Sequence, residues 1–189
     1  MKQARVLSDK ELKTVLNSTK LTRHESRNRL TVMLSYYAGL RACEIASLRI
    51  GDVIGSDGSA KQTILLDSWQ TKGRQRQEAI VNEKLRKEIA RYVSEQRSKA
   101  LPDAPLLVSQ KGGSFSSQTI QQLFRHLYRQ VGMDGASSHS GRRTMLTKLA
   151  ECGVHARVIQ QIARHSSLAT TQRYIDVSPH LLRNAVELI

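Results

Sequence analysis

Apolar residues recur at helical spacing through most of this chain and alternate through one stretch near its middle. Leu12, Val15 and Leu16 follow Ser8 and Glu11, which have capping-box spacing, and predict a first helix. Leu30, Val32, Met33 and Leu34 carry a second helix from about Glu25 to Ala38, stopped by Gly39. A short third helix follows Arg41, with Ile45 and Leu48 on a buried face and Arg41 and Glu44 three apart. Arg49–Ile54 and Gln62–Asp67 read as strands joined by the turn Gly55-Ser56-Asp57-Gly58. Trp69–Gly73 and Gln75–Val81 read as a further hairpin whose tip, TKGRQR, is strongly basic.

Asn82 caps a helix reaching about Arg97, with Leu85, Ile89, Tyr92 and Val93 on its apolar side. Leu101–Pro105 is a loop, Leu106–Ser109 a short extended piece, and Lys111-Gly112-Gly113-Ser114 a turn rather than a phosphate cradle, since it lacks the P-loop pattern. Ser117 caps a helix with Ile120, Leu123, Phe124, Leu127 and Tyr128, ending at Gly132. The last third holds four helical pieces, about 139–151, 155–163, 168–176 and 179–188. The expected fold class is therefore mainly α with a small antiparallel β-sheet (α+β), in one domain spanning 1–189.

Charge narrows the partner. Lys and Arg total 30 against 16 Asp and Glu, a formal charge of +14, which favours a polyanionic partner, DNA or RNA, and salt-dependent binding. No apolar run of about 18 residues and no long basic amphipathic helix occurs, so no membrane partner is expected. Met1–Asp9 lacks the apolar core of a signal peptide, and a cytoplasmic location is expected. Cys43 and Cys152 sit in apolar helical patterns and read as small, reduced core residues. No Cys/His spacing suits a metal, and neither HExxH nor a Walker-type loop is present, so no metal or cofactor is expected.

The candidate chemistry lies in the last third. His139 and Arg142 are three apart and share a helix face. His165 and Tyr174 are nine apart, which at about 100° per residue places them on opposite faces of one continuous helix. Ser166-Ser167 offers a new N-cap between them, so two helices bring both side chains to one pocket. A cation-rich pocket beside a tyrosine suits attack on a phosphodiester, whose charge must be neutralised as the pentacovalent state forms. Guanidinium forks stay charged and donate bidentately.

The chain from about Leu7 onward resembles the catalytic domain of the tyrosine site-specific recombinases, the phage integrase family. The resemblance is carried in order by Tyr37-Ala38-Gly39-Leu40-Arg41-Ala42-Cys43-Glu44-Ile45, by Thr71-Lys72-Gly73, by His139-Ser140-Gly141-Arg142, and by His165 through Tyr174. It implies the integrase catalytic-domain fold and a DNA breaking-rejoining enzyme acting through a 3′-phosphotyrosyl intermediate without metal or ATP. It implies Tyr174 as nucleophile, with Arg41, Arg142 and His165 holding the non-bridging phosphate oxygens. It further implies Lys72 as donor to the leaving 5′ oxygen, His139 as manager of the tyrosine proton, and Glu44 as support for Arg41. An N-terminal core-binding domain is expected to be absent, the chain being either a cut-out catalytic fragment or similar to the short invertase-type members. The tail, about 178–189, with Leu181, Leu182, Val186 and Ile189 as anchors, is expected to pack on a neighbouring protomer, giving a homo-oligomer, a tetramer on DNA.

The chain departs from the family pattern at Gly141 and Arg143, where Leu and His are usual, and at Ala163-Arg164, where Leu-Gly is usual. Gly141 removes an apolar contact and costs about 1 kcal/mol of helix propensity against Ala. Arg143 and Arg164 add charge near the site and, with Arg74 and Arg76, are candidate DNA contacts. Rival readings are a type IB topoisomerase-like relaxase and an inactive DNA-binding regulator of the same fold. The apolar tail argues against the first and the complete residue set against the second. An RNA-binding module fits less well, for want of a stacking-aromatic surface.

Overall fold

In the computed structural model, which describes residues 3–71, 73–175 and 186–187, helix α2 (Glu25–Tyr37) runs through the centre. Leu30 through Tyr36 are all buried, as a helix with no solvent face must be. It packs against α5 (Glu83–Gln96) and α7 (Ser140–Glu151). Helix α1 (Asp9–Ser18) starts with the expected capping box: Glu11 N–H donates to Ser8 Oγ at 3.2 Å and Ser8 N–H to Glu11 Oε2 at 2.8 Å. Gly39, at φ +59°, turns the chain after α2 through the left-handed region that glycine occupies without a Cβ clash. The turn leads to α3 (Ala42–Ser47), which packs on α6 (Ser117–Gln130).

The sheet has two antiparallel strands among the described residues, β1 (Thr63–Leu66) and β2 (Gln77–Ile80), with Thr63 opposite Ile80 and Leu66 opposite Gln77. Ile64, Leu66 and Ala79 face the core, while Leu65 and Ile80 face outward. This corrects two expectations. First, 49–54 is not a strand: α4 (Ile50–Val53) is a short helix, and only Arg49 and Ile54 make isolated bridges, to Pro105 and Ala60. Asp52 decides it, accepting the Arg49 N–H at 2.8 Å and the Gln70 side chain at 2.8 Å. Second, Gln75–Val81 does not pair with Trp69–Gly73. Ser68–Gln70 is a 3₁₀ turn whose Gln70 is buried against Ser47 and Asp52, so β2 pairs with β1 and the basic tip spans the connection.

Smaller corrections follow. Ser116, not Ser117, caps α6, its Oγ accepting the Thr119 N–H at 3.1 Å. Both cysteines are free, Cys43 half-buried, but Cys152 is exposed at the end of α7 rather than in the core. Helix α8 (Ala156–Ala163) starts at His155, and α9 (Leu168–Gln172) is shorter than expected, leaving Tyr174 just beyond it. Apart from Val186 and Glu187, the fourth piece and tail lie outside the described residues, as does Lys72.

Two apolar clusters result. The larger joins α1 through α6 and the sheet. The smaller holds Leu146, Ala150, Ile159 and Ala163, with Tyr174 and Ile175 packed against it. Gly141 lets α7 approach α2: a Cβ there would lie 2.7 Å from Ser35 Oγ and 3.2 Å from the Ser35 carbonyl carbon. The departure at 141 therefore matches close packing rather than a lost contact. Gly141→Leu is expected to destabilise by about 1–3 kcal/mol through overpacking, despite better helix propensity. Urea denaturation checks this, and an unchanged or raised midpoint would refute it.

Candidate active site

Arg41 precedes α3 and is held by the carboxylate of Glu44. Its N–H donates to Glu44 Oε2 at 2.8 Å and its Nη1 to Oε1 at 2.7 Å. Glu44 is fully buried, yet its carboxyl lies below the usual range. Burial by itself would raise it; the Arg164 charge, the Arg41 N–H and the Arg41 guanidinium outweigh that. The extra cation is Arg164, whose Nη2 reaches Glu44 Oε2 at 2.6 Å with its side chain 4% exposed. Its guanidinium is thus largely buried against Glu44, beside the cleft that Arg41 and His165 also border.

Arg142, on α7, is also buried. Its Nη1 donates to the Gly39 carbonyl at 2.6 Å and its Nη2 to the Ala163 carbonyl. Burial, then the charges of Arg41 and Arg164, push its pKa down to about 9, so it is still charged at neutral pH. One side chain therefore joins the turn before Arg41 to the end of α8.

His165 follows directly. Arg164 takes φ +55° at the end of α8, which bends the chain, and Ser167 caps α9 by accepting the Ala169 N–H at 3.3 Å. The break brings His165 and Tyr174 together as expected: their rings stack with centroids 5.7 Å apart and planes 24° from parallel. The Arg143 guanidinium lies 5.6 Å over the Tyr174 ring. Thr171 and Gln160 are site residues that motif spacing does not mark. Thr171 Oγ1 is 3.0 Å from His165 Nδ1, and the Gln160 side chain donates to the His165 carbonyl at 3.0 Å. Their only signal in the sequence is that of two polar residues beside a predicted helix break.

Burial, then the fields of Arg142, Arg41 and Arg164, push His165 down to about 4, so the ring is neutral at pH 7. Between the ordinary histidine value of 6.5 and about 4, the unfolded chain binds a proton that the folded chain refuses. This contribution to stability is full above 6.5 and is lost as pH falls through that window. The urea midpoint should drop on going from pH 7 to 4.5, and more shallowly in His165→Gln. Identical slopes in the two proteins would refute it.

Arg41 and His165 face a cleft of about 1350 Å³ between the outer face of the hairpin and α8–α9. Gly73 and Arg76 from the basic tip border it. Arg74, at φ +49°, and Arg76, paired with Asp67 at 3.3 Å, are both exposed. His139 is exposed at the N-cap of α7, while Arg142, three residues on, is buried. The arrangement draws Arg41, Arg142, His165 and Tyr174 from separate segments to one place, with cations in excess.

The description "Phage integrase family" fits residues 5–180. The tyrosine recombinase XerC of Rhodospirillum centenum is 33% identical over 158 residues, 82% of this chain and 44% of that protein. A crystal structure of XerA recombinase superposes with a TM-score of 0.79 at 26% identity, covering 100% of this chain and 66% of that one. The Tn1549 transposon integrase in complex with transposon right end DNA has the same fold, with a TM-score of 0.78 at 16% identity, covering 100% and 67%. The chain spans about half the length of the curated relatives it matches.

Proposed function

This chain belongs to the phage integrase family, and from that premise we propose that it is a tyrosine recombinase catalytic domain that cuts and rejoins specific DNA sites. In this reading Tyr174 Oη attacks the scissile phosphorus, the bond to the 5′ oxygen breaks, and a 3′-phosphotyrosyl ester forms. A 5′ hydroxyl then attacks that ester and releases Tyr174. One phosphoester replaces another at each step, so ATP is not required. Charge neutralisation falls to protein cations, with no metal in the scheme. The support for it is one observation: Arg41 and His165 line one cleft, buried Arg142 joins the segments that carry them, and Tyr174 stacks on His165.

Arg41 and Arg142 meet the growing negative charge on the non-bridging oxygens, where a fixed donor contributes roughly 10²–10³ in rate. Neutral His165, with Nδ1 engaged by Thr171, has Nε2 to offer as a further donor. Lys72 is assigned the proton for the leaving 5′ oxygen, a role contributing roughly 10²–10⁴-fold, and His139 the tyrosine proton. Arg74, Arg76 and Arg143 are assigned to the DNA backbone, consistent with the +14 charge. Double-stranded DNA is the partner in this reading, and the transposon integrase that shares the fold is in complex with transposon right end DNA. The tail is assigned to a neighbouring protomer in a tetramer on DNA, and the site of action to the cytoplasm.

The test is covalent capture. Nicked duplexes cut from DNA flanking the gene are incubated with the protein, and denaturing gels are read for protease-sensitive adducts. An adduct at the 3′ end generated by the cut, with a free 5′ hydroxyl on the other fragment and phosphotyrosine released on hydrolysis, supports the reading. DNA binding without adduct on any duplex sinks it in favour of an inactive DNA-binding regulator.

A further inference from the structure

We infer that Arg164 is a positioning residue, acting through Glu44 to hold Arg41 and the His165 turn around one phosphate. The inference rests on the phosphate site proposed above. Its starting point is a strained backbone: φ +55° is a conformation suited to glycine and unfavourable for a residue with a Cβ. Glycine would end α8 with less strain, yet arginine stands here, at the wall of the cleft, and both its Nη atoms turn inward onto protein acceptors. Nη2 lies 2.6 Å from Glu44 Oε2 and 3.3 Å from the Gly39 carbonyl, and Nη1 lies 3.4 Å from the Ala38 carbonyl.

These partners matter because two of them are shared. Glu44 Oε2 also accepts the Arg41 N–H, and Oε1 the Arg41 guanidinium. The Gly39 carbonyl also accepts from Arg142. Arg164 itself precedes His165 in the chain. One buried fork therefore connects three groups that would meet the phosphate. It crosses from the small apolar cluster, where α8 packs, to the large one, where α3 packs.

The charge balance points the same way. With Arg164 removed, Glu44 and Arg41 form a closed pair, and much of the attraction of Arg41 for a phosphate is cancelled by its carboxylate neighbour. With Arg164 present, the carboxylate is shared between two guanidiniums, and the cluster stays cationic. Arg164 also adds to the field that keeps His165 neutral.

The experiment compares parent, Arg164→Gly and Arg164→Lys in the full chain. Glycine accepts the backbone angle, so the first variant removes the fork without adding strain; lysine keeps a charge but not the fork. Inorganic phosphate is titrated while the His165 imidazole is followed by NMR, and the same signal is followed against pH. Single-turnover covalent capture and the salt dependence of DNA binding are measured alongside. Arg164→Gly is expected to weaken phosphate binding on the order of tenfold, to raise the His165 titration midpoint, and to slow capture with the salt slope unchanged. Arg164→Lys should recover part of each loss. Phosphate affinity and His165 midpoint both at parent values in Arg164→Gly would overturn the inference, leaving Arg164 as packing. A salt slope reduced by about one contact with His165 unmoved would also overturn it, making Arg164 a DNA contact. Should Arg164→Gly fail to fold, Arg164→Lys with parent values throughout overturns it equally. Expected phosphate and His165 shifts with no adduct even from the parent would sink the recombinase reading while positioning stands. A parent that binds no phosphate at His165 removes both.

Discussion

Tyr174→Phe is expected to abolish covalent capture of a nicked duplex while leaving DNA binding and folding intact. The variant removes one oxygen and little else. The ring remains available to stack on His165 and lie beneath Arg143, and its packing on Leu146, Ala150, Ile159 and Ala163 is kept. Nothing in that packing depends on the hydroxyl, so the melting temperature should be near the parent value. The rate loss should be on the order of 10⁴ or more, because no neighbouring group replaces a nucleophile in the bond-forming step. Binding with an unchanged salt slope and no adduct is the predicted result. An adduct of normal yield would transfer the nucleophile elsewhere and remove the central assignment of the site.

Glu44→Ala is expected to give the largest loss of stability among single changes at the site. The carboxylate is fully buried and carries Arg41 and Arg164 together. Its removal leaves the Arg164 guanidinium, 4% exposed, without its anion and in the repelling fields of Arg41 and Arg142. Breaking a buried ion pair from one side costs about 3–5 kcal/mol. At about 2–4 °C per kcal/mol for a chain of this size, the melting temperature should fall by about 6–20 °C. Glu44→Gln keeps the volume and an acceptor for the Arg41 N–H, so its loss should be smaller. The double variant Glu44→Ala with Arg164→Gly should recover part of the stability, since the stranded charge is gone. If Glu44→Ala melts like the parent, the carboxylate is not holding the two arginines together. The Glu44 carboxyl is held low in the folded protein, so its contribution is present above the unfolded carboxylate range and lost as pH falls below it.

Much of the site is legible in the order of the residues. Arg41, Arg142, His165 and Tyr174 stand in motifs whose order and spacing carry the family, and the fold brings them together. The break between His165 and Tyr174 is readable from Ser166-Ser167, and Ser167 does cap α9. Arg164 points the opposite way from its expectation. A charged residue beside a motif histidine suggests a surface contact, and nothing within a few residues reveals a buried carboxylate 120 positions away. The strand expected at 49–54 fails for a similar reason: Asp52 caps a short helix there and anchors Gln70 from 18 residues downstream.

Features governed by neighbours in the chain are set by residue order alone. The Ser8–Glu11 capping box, the stop at Gly39, the Asn82 cap and the Arg41–Glu44 pair each close within three or four residues, so local spacing is enough to read them. Family membership belongs with these, because motifs are local patterns in order. Folding in three dimensions settles which strand β2 pairs with, why Gly141 is required opposite Ser35, and where the arginines point. It also keeps His165 neutral well below its ordinary value of 6.5, down to about 4. All of these depend on burial and on partners far away in sequence. Desolvation and packing act through space, and only the folded chain brings Glu44, Arg142 and Arg164 close enough for one carboxylate to organise the site.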